Sequence, residues 1–202
     1  LADIAGPTAN ITNVDSVSCY GGTDGIITAA GMGGTLPFNY QWDDLFMQTT
    51  PTAANLIAGP YTITLTDSAG CIASTVAIVF GPDSIQFNPS SINPTCANDC
   101  DGEVGVTVIG GTPGYNYLWD DGATQTTATA TGLCAGTYNL IITDNHNCIE
   151  LVSVGIADPL PVFVTTTSTD ESCPGSCDGT ALATPSNGVN GYSFLWDNSQ
   201  TT

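Results

Sequence analysis

The chain contains no lysine and no arginine, and His146 is its only histidine. Against 19 Asp and Glu this leaves a formal charge of -19, so nothing in the chain can neutralise a phosphate backbone. Nucleic-acid binding is excluded on that ground, and attraction to an anionic lipid surface with it. Divalent cations, basic surfaces and neutral ligands such as glycans are the partners such a surface favours. Apolar runs long enough to span a bilayer are missing too, so no transmembrane span and no direct membrane insertion is expected. The first residues, Leu1 to Pro7, lack the basic region of a secretory leader. No helical apolar period with a capping residue is found, and Thr and Val crowd the segments where one would be sought.

What is present is repetition. Cys19, Cys96 and Cys173 recur at a step of 77 residues, and Asp24-Gly25, Asp101-Gly102 and Asp178-Gly179 keep it, as do Trp42, Trp119 and Trp196. The reading is of two whole copies, 7–81 and 82–158, preceded by the end of another (1–6) and followed by the first part of a third (159–202). Ile4 to Pro7 matches Val79 to Pro82 and Ile156 to Pro159, which suggests a stretch taken from inside a longer tandem chain. The spacers Phe80-Gly81-Pro82-Asp83 and Ala157-Asp158-Pro159 are short, so neighbouring copies should be joined tightly.

Within a copy the period is two. Val104, Val106 and Val108 alternate with Gly105 and Thr107, and Tyr61, Ile63 and Leu65 alternate with Thr62, Thr64 and Thr66. Gly33-Gly34 and Gly110-Gly111 mark turns between such runs. Six or seven short strands per copy predict an all-β fold: tandem immunoglobulin-like β-sandwich domains with intradomain disulfides.

The pairing of the cysteines is inferred by comparing copies. The first copy has Cys19 and Cys71; the second has Cys96 and Cys148 at the same places, plus Cys100 and Cys134 where the first has Thr23 and Ile57. The simplest pairs are Cys19–Cys71, Cys96–Cys148 and Cys100–Cys134. Cys173 and Cys177 would pair beyond Thr202. Bonds of this kind need an oxidising, extracellular site. Zinc is a poor alternative use, since the first copy has too few ligands for it.

The run Cys96-x4-Asp101-Gly102, Gly110-Gly111-Thr112-Pro113-x-Tyr115-x-Tyr117-x-Trp119, Ala135-Gly136-Thr137-Tyr138 and Thr143-Asp144-x3-Cys148 resembles the SprB repeat of very large Bacteroidetes cell-surface adhesins. The resemblance implies a surface filament or stalk, exported by the type IX system and, in gliding species, moved along the cell. The chain departs from the common pattern in its second cystine and in Leu45-Phe46-Met47, read as an insert in the first copy.

The shared polar and aromatic positions are the candidate sites. Asp24, Asp101 and Asp178 could be calcium ligands or could each close a turn with a flexible glycine behind it. Asp43-Asp44, Asp120-Asp121 and Asp197-Asn198 are weaker calcium candidates, and no D-x-D-x-D-G loop is present. Calcium is thus the one cofactor admitted. Asp67 and Asp144 read as turn formers and His146, whose counterpart is Ala69, as a loop residue. Trp42, Trp119 and Trp196 could stack on sugar rings, although an alternating aromatic strand favours a core place. Asp15-Ser16-Val17, Asp67-Ser68-Ala69 and Asp83-Ser84-Ile85 are similar to Bacteroidetes O-glycosylation sites, and Asn10-Ile11-Thr12 is an N-glycosylation acceptor where a host has that machinery. No catalytic set recurs, so no enzyme is expected. The reading is a structural stalk or spacer in a surface adhesin whose partners are neighbouring repeats, surface glycans or other surface proteins. The alternative is a carbohydrate- or calcium-binding module repeated along the array.

Overall fold

The computed structural model describes residues 6–188 and 191–201. Most of the expected tail of a preceding copy, 1–5, lies outside the described residues. The first copy carries six strands: β1 Thr8–Asp15, β2 Gly25–Met32, β3 Asn39–Trp42, β4 Thr52–Leu56, β5 Gly59–Thr66 and β6 Ile72–Val79. They form two three-stranded sheets, ordered β1-β2-β4 and β3-β5-β6. The second copy repeats them as β7 Gln86–Ile92, β8 Gly102–Ile109, β9 Asn116–Trp119, β10 Thr129–Leu133, β11 Gly136–Thr143 and β12 Ile149–Ile156, with sheets β7-β8-β10 and β9-β11-β12. From the third copy come β13 Phe163–Thr169 and β14 Thr180–Ser186, an antiparallel pair in register from Phe163↔Ser186 to Thr169↔Thr180. The chain is all-β and built of immunoglobulin-like sandwiches.

The two-residue period sets the core. In the first copy Ile27 and Ala29 from β2, Trp42 from β3, Ala53 and Leu56 from β4, Ile63 from β5 and Ala77 and Val79 from β6 form one buried cluster. Their neighbours along each strand face outward, as an antiparallel sheet with one wet face requires. The positions one repeat later, Val104, Trp119, Ala130, Leu133, Leu140, Val154 and Ile156, are buried as well. By chain packing the described residues group into two compact units. One takes those up to Asn88 with Thr107–Tyr117 and Ile141–Leu151; the other takes Pro89–Val106, Leu118–Leu140 and those from Val152 on.

In the two whole copies the glycine of the Asp-Gly pair has a packing role instead of the flexible one expected. A Cβ on Gly25 would lie 2.7 Å from Val79 Cγ1 and 2.8 Å from the Leu56 carbonyl oxygen; on Gly102 it would lie 2.8 Å from the Leu133 carbonyl oxygen. A side chain there would push strands apart.

The cystines correct the sequence reading. Cys100 bonds Cys134, but Cys19 bonds Cys148 of the second copy, not Cys71, and Cys96 is not bonded to Cys148. Cys71, Cys96, Cys173 and Cys177 are free and exposed. The reason is strand direction. The Cys19 loop sits where β6 ends, since Val17 N–H donates to the Phe80 carbonyl at 2.9 Å. Cys71 sits where β6 begins, eight residues away. At about 3.3 Å per residue that strand separates the two by some 25 Å, whereas Cα atoms more than about 7 Å apart cannot be bridged by a cystine. Cys19 and Cys148 have theirs 5.7 Å apart. Not all the disulfides are therefore intradomain, and the first copy closes on its core with no cystine of its own.

Candidate functional site: the joint between copies

The most elaborated place in the chain is where the Cys19 loop of the first copy meets the β11–β12 turn of the second, all inside the first compact unit. Asp24 builds one side by folding its carboxylate back onto the Ser18 amide, at 3.0 and 3.2 Å, which fixes the loop that presents Cys19. Asp101 does the same to the Thr95 amide (2.9 Å) and hydroxyl (2.7 Å), and Asp178 to the Ser172 amide (2.8 Å) and hydroxyl (2.6 Å). The Thr95 hydroxyl, then its amide, lowers the Asp101 pKa; the hydroxyls of Ser172 and Ser176 drive that of Asp178 far below the carboxylate range.

Asp144 builds the other side. Its Oδ1 accepts the amides of His146 at 2.8 Å and Cys148 at 2.9 Å, while Oδ2 accepts the Thr112 amide at 2.9 Å from the neighbouring loop. Asp67 repeats this in the first copy with Ala69, Cys71 and Thr35. Each carboxylate is buried and organises two loops at once, a larger role than the single turn expected.

His146 is more than a loop residue. Its Nδ1 lies 3.2 Å from the Ser18 carbonyl oxygen and 3.1 Å from Thr112 Oγ1. A carbonyl can only accept, so the satisfied arrangement puts the proton on Nδ1 and aims it at Ser18. The Cys148 sulfur stands 3.5 Å from the same oxygen. Beside the cystine is a cavity of about 310 Å³ lined by Tyr20, Pro82, Ile85, Gly111 and Ile149. The joint combines a covalent bond, a histidine contact and apolar lining. No sequence signal pointed to it, because each half belongs to a different copy.

The other candidates serve the fold. Asp43 Oδ1 accepts the Thr62 amide at 2.7 Å and Asp120 Oδ1 the Asn139 amide at 2.8 Å, extending β3–β5 and β9–β11 by one rung. Asp44 accepts the amides of Phe46 (3.0 Å) and Gln48 (2.8 Å) and the Gln48 side chain (3.0 Å); that side chain in turn bonds both backbone groups of Ala54. Asp121, Ala123, Gln125 and Thr131 repeat the network. Burial raises the Asp44 pKa as its largest single influence, but the bonds from Gln48 and Phe46 together bring it below the ordinary value; in Asp121 the Gln125 side chain leads the lowering. Sequence reasoning missed both glutamines. In the third copy Asn198 Oδ1 accepts the Gln200 amide at 3.1 Å. Among the described residues no group of three or more His, Cys, Asp or Glu side chains is placed to hold a metal ion.

Two readings are corrected here. Trp42 and Trp119 are 1% exposed, with Nε1 donating to the carbonyls of Thr50 and Thr127 at 2.9 Å, so neither ring can stack on a sugar. Trp196 is half-buried. Leu45-Phe46-Met47 is not an insert: it occupies the turn held in the second copy by Gly122-Ala123-Thr124, and Met47 and Thr124 share a left-handed backbone (φ 51° and 50°). The first copy differs by exposing Leu45 and Phe46 there.

Comparison with solved structures finds distant likenesses. DIP-gamma IG1+IG2 is 10% identical, with 74% of this chain and 97% of that one covered and a TM-score of 0.37. The N-terminal eight Ig domains of Down Syndrome Cell Adhesion Molecule are 13% identical, covering 83% and 26%, with a TM-score of 0.43. Murine CEACAM1b is 14% identical, covering 75% and 98%, at 0.29. At these scores the likenesses add nothing to what the sheets already show. Among curated proteins no match is found. The family model described as SprB repeat matches residues 11–45, 89–124 and 165–201, together more than half of the chain. The chain belongs to the SprB repeat family.

Proposed function

We propose that this chain is a load-bearing stalk segment of a large, repetitive cell-surface adhesin. The observation that carries the reading is the Cys19–Cys148 bond, which ties one copy to the next across a sequence separation of 129 residues. The expected basis, one cystine closing each copy, does not hold. A bond across the joint serves the same end in another way: tension applied along the chain bypasses everything between the bonded residues. With the bond intact β2–β11 and the core side chains they carry are shielded while β1 and β12 stay in the loaded path, and the carboxylate-stapled loops hold the joint in place. Cystines of this kind persist in oxidising surroundings, which supports a place outside the cytoplasm. Attachment at the cell surface and a part in gliding belong to this reading as its biological setting. The rival reading, a glycan- or calcium-binding module, loses its main support with the burial of Trp42 and Trp119.

Single-molecule stretching of the chain from its two ends tests the proposal. Reduction should add the contour of the protected segment, about 430–460 Å at roughly 3.3–3.6 Å for each of 129 residues. Equal extension with and without reductant would defeat the load-bearing reading.

A further inference from the structure

We propose that the Cys19–Cys148 bond is one rung of a ladder, in which Cys96 and Cys71 are the reactive halves of the neighbouring rungs. Cys96 takes the Cys148-type cysteine of a copy that follows, and Cys71 takes the Cys19-type cysteine of a copy that precedes. The inference goes beyond the stalk reading and does not depend on it: the bond pattern could hold in a protein that bears no load.

The equivalences are the first support. Cys96 stands to the second copy as Cys19 stands to the first, and Cys71 to the first as Cys148 to the second. Both are exposed free thiols. Strand direction also bars the bonds within a copy, since β12, like β6, puts eight residues between the two cysteine loops.

An independent observation is that the surroundings of the first rung recur at Cys96. The cavity beside Cys19 is lined by Pro82, Ile85 and Gly111, and a cavity beside Cys96 by Pro159, Val162 and Gly188, each one repeat further on. The backbone is fastened alike in both, with the Gly111 amide on the Asp83 carbonyl at 2.9 Å and the Gly188 amide on the Leu160 carbonyl at 3.2 Å. The carboxylate hook recurs too, Asp24 on the Ser18 amide and Asp101 on the Thr95 amide. The second copy thus presents Cys96 in the frame from which Cys19 makes its bond.

Closing a rung oxidises two thiols to one disulfide and needs a disulfide oxidant. One cysteine thiolate opens the S–S bond of, for example, oxidised glutathione, giving a mixed disulfide and one reduced glutathione. The second cysteine displaces the other glutathione, so that two protons and two electrons pass from the protein to the oxidant.

The test lengthens the chain so that the third copy is completed. The third copy ends Gln200-Thr201-Thr202 where the second reads Gln125-Thr126-Thr127, so second-copy residues Ala128–Asp158 are appended after Thr202. The lengthened protein is oxidised with glutathione and mapped without reduction. Cys96 should appear joined to the appended counterpart of Cys148, and serine in place of that counterpart should return the Cys96 thiol. A monomer on a non-reducing gel places the rung within one chain; a dimer joined through Cys96 places it between two. A Cys177 bond to the appended counterpart of Cys134 reports that the third copy has folded. Cys96 left free with that bond formed overturns the proposal. The unmodified chain supplies a second arm that needs no new copy: C19S should raise the labelled thiols from four to five, adding Cys148. A Cys96–Cys148 bond in that variant would also overturn it.

Discussion

The Asp144 carboxylate and the Thr112 amide meet at 2.9 Å, 32 residues apart in sequence, and Asp67 meets Thr35 in the same way at 3.0 Å. Each pair ties the Gly-Gly loop of a copy to the turn that carries its last cysteine. Asp144 is 1% exposed, so an amide in its place would set an N–H against donors that have no other partner. Asp144→Asn is expected to cost about 2–3 kcal/mol in denaturant unfolding. Asp99→Asn, at an exposed residue whose side chain bonds nothing, should cost under about 0.5 kcal/mol. Equal midpoints for the two variants would show that the staple contributes nothing.

The same carboxylates set the response to acid. Asp67 is held below the ordinary value of 3.8 first by the Thr35 amide and then by that of Cys71. In Asp144 burial pushes upward as the largest single influence, yet the amides of Thr112, Cys148 and His146 outweigh it. A group whose folded pKa is depressed contributes stability that is present above the unfolded pKa and lost as pH falls through the folded one. Stability should therefore hold from pH 7 to about 5 and decline below about 4. Urea midpoints across that range check this; a decline already complete at pH 5 would contradict it.

Salt should act in the opposite sense to its usual effect on ion-paired proteins. With 19 acidic groups and no Lys or Arg, nearly every long-range interaction at pH 7 is repulsive, and screening relieves it. Raising sodium chloride from about 20 to 300 mM, which shortens the Debye length from roughly 20 to 6 Å, should raise the melting temperature by several degrees. A fall would mean that repulsion among the carboxylates does not limit the stability of the fold.

Much of the fold was legible because it depends on short-range pattern. The alternation of Tyr61, Ile63 and Leu65 gives β5 its buried face, and the 77-residue step carries every strand of the first copy into the second. The direction of each strand was not legible. Periodicity is the same read up or down, and nothing in the segment from Asp43 to Pro51 marks that it hands the chain from one sheet to the other. Once β6 is seen to run from the Cys71 end to the Cys19 end, pairing within a copy becomes impossible. The carboxylates were visible as recurring positions, and so were Thr112 and Gln125, which repeat Thr35 and Gln48 one step on; which of these recurring groups bonds which was not legible.

The missing second cystine of the first copy offers a last prediction. Thr23 and Ile57 stand where the second copy has Cys100 and Cys134. The backbone around both sites is held alike. The Tyr61 hydroxyl donates to the Ile57 carbonyl at 3.0 Å, as that of Tyr138 does to the Cys134 carbonyl at 2.9 Å. Ahead of the other site, the Gly22 amide bonds the Cys19 carbonyl at 2.9 Å as the Asp99 amide bonds that of Cys96 at 3.1 Å. Thr23→Cys with Ile57→Cys, in a Cys71→Ser background to prevent exchange, should therefore form a bond with no backbone movement. On the chain-entropy account a loop of 34 residues gives at most about 4 kcal/mol, and engineered bonds usually give less. A gain of about 2–4 kcal/mol that reductant abolishes is the expected result. Five labelled thiols after oxidation, in place of the three left by Cys96, Cys173 and Cys177, would mean that the two copies differ in backbone where they match in hydrogen bonding, and that the cystine of the second copy depends on more than its frame.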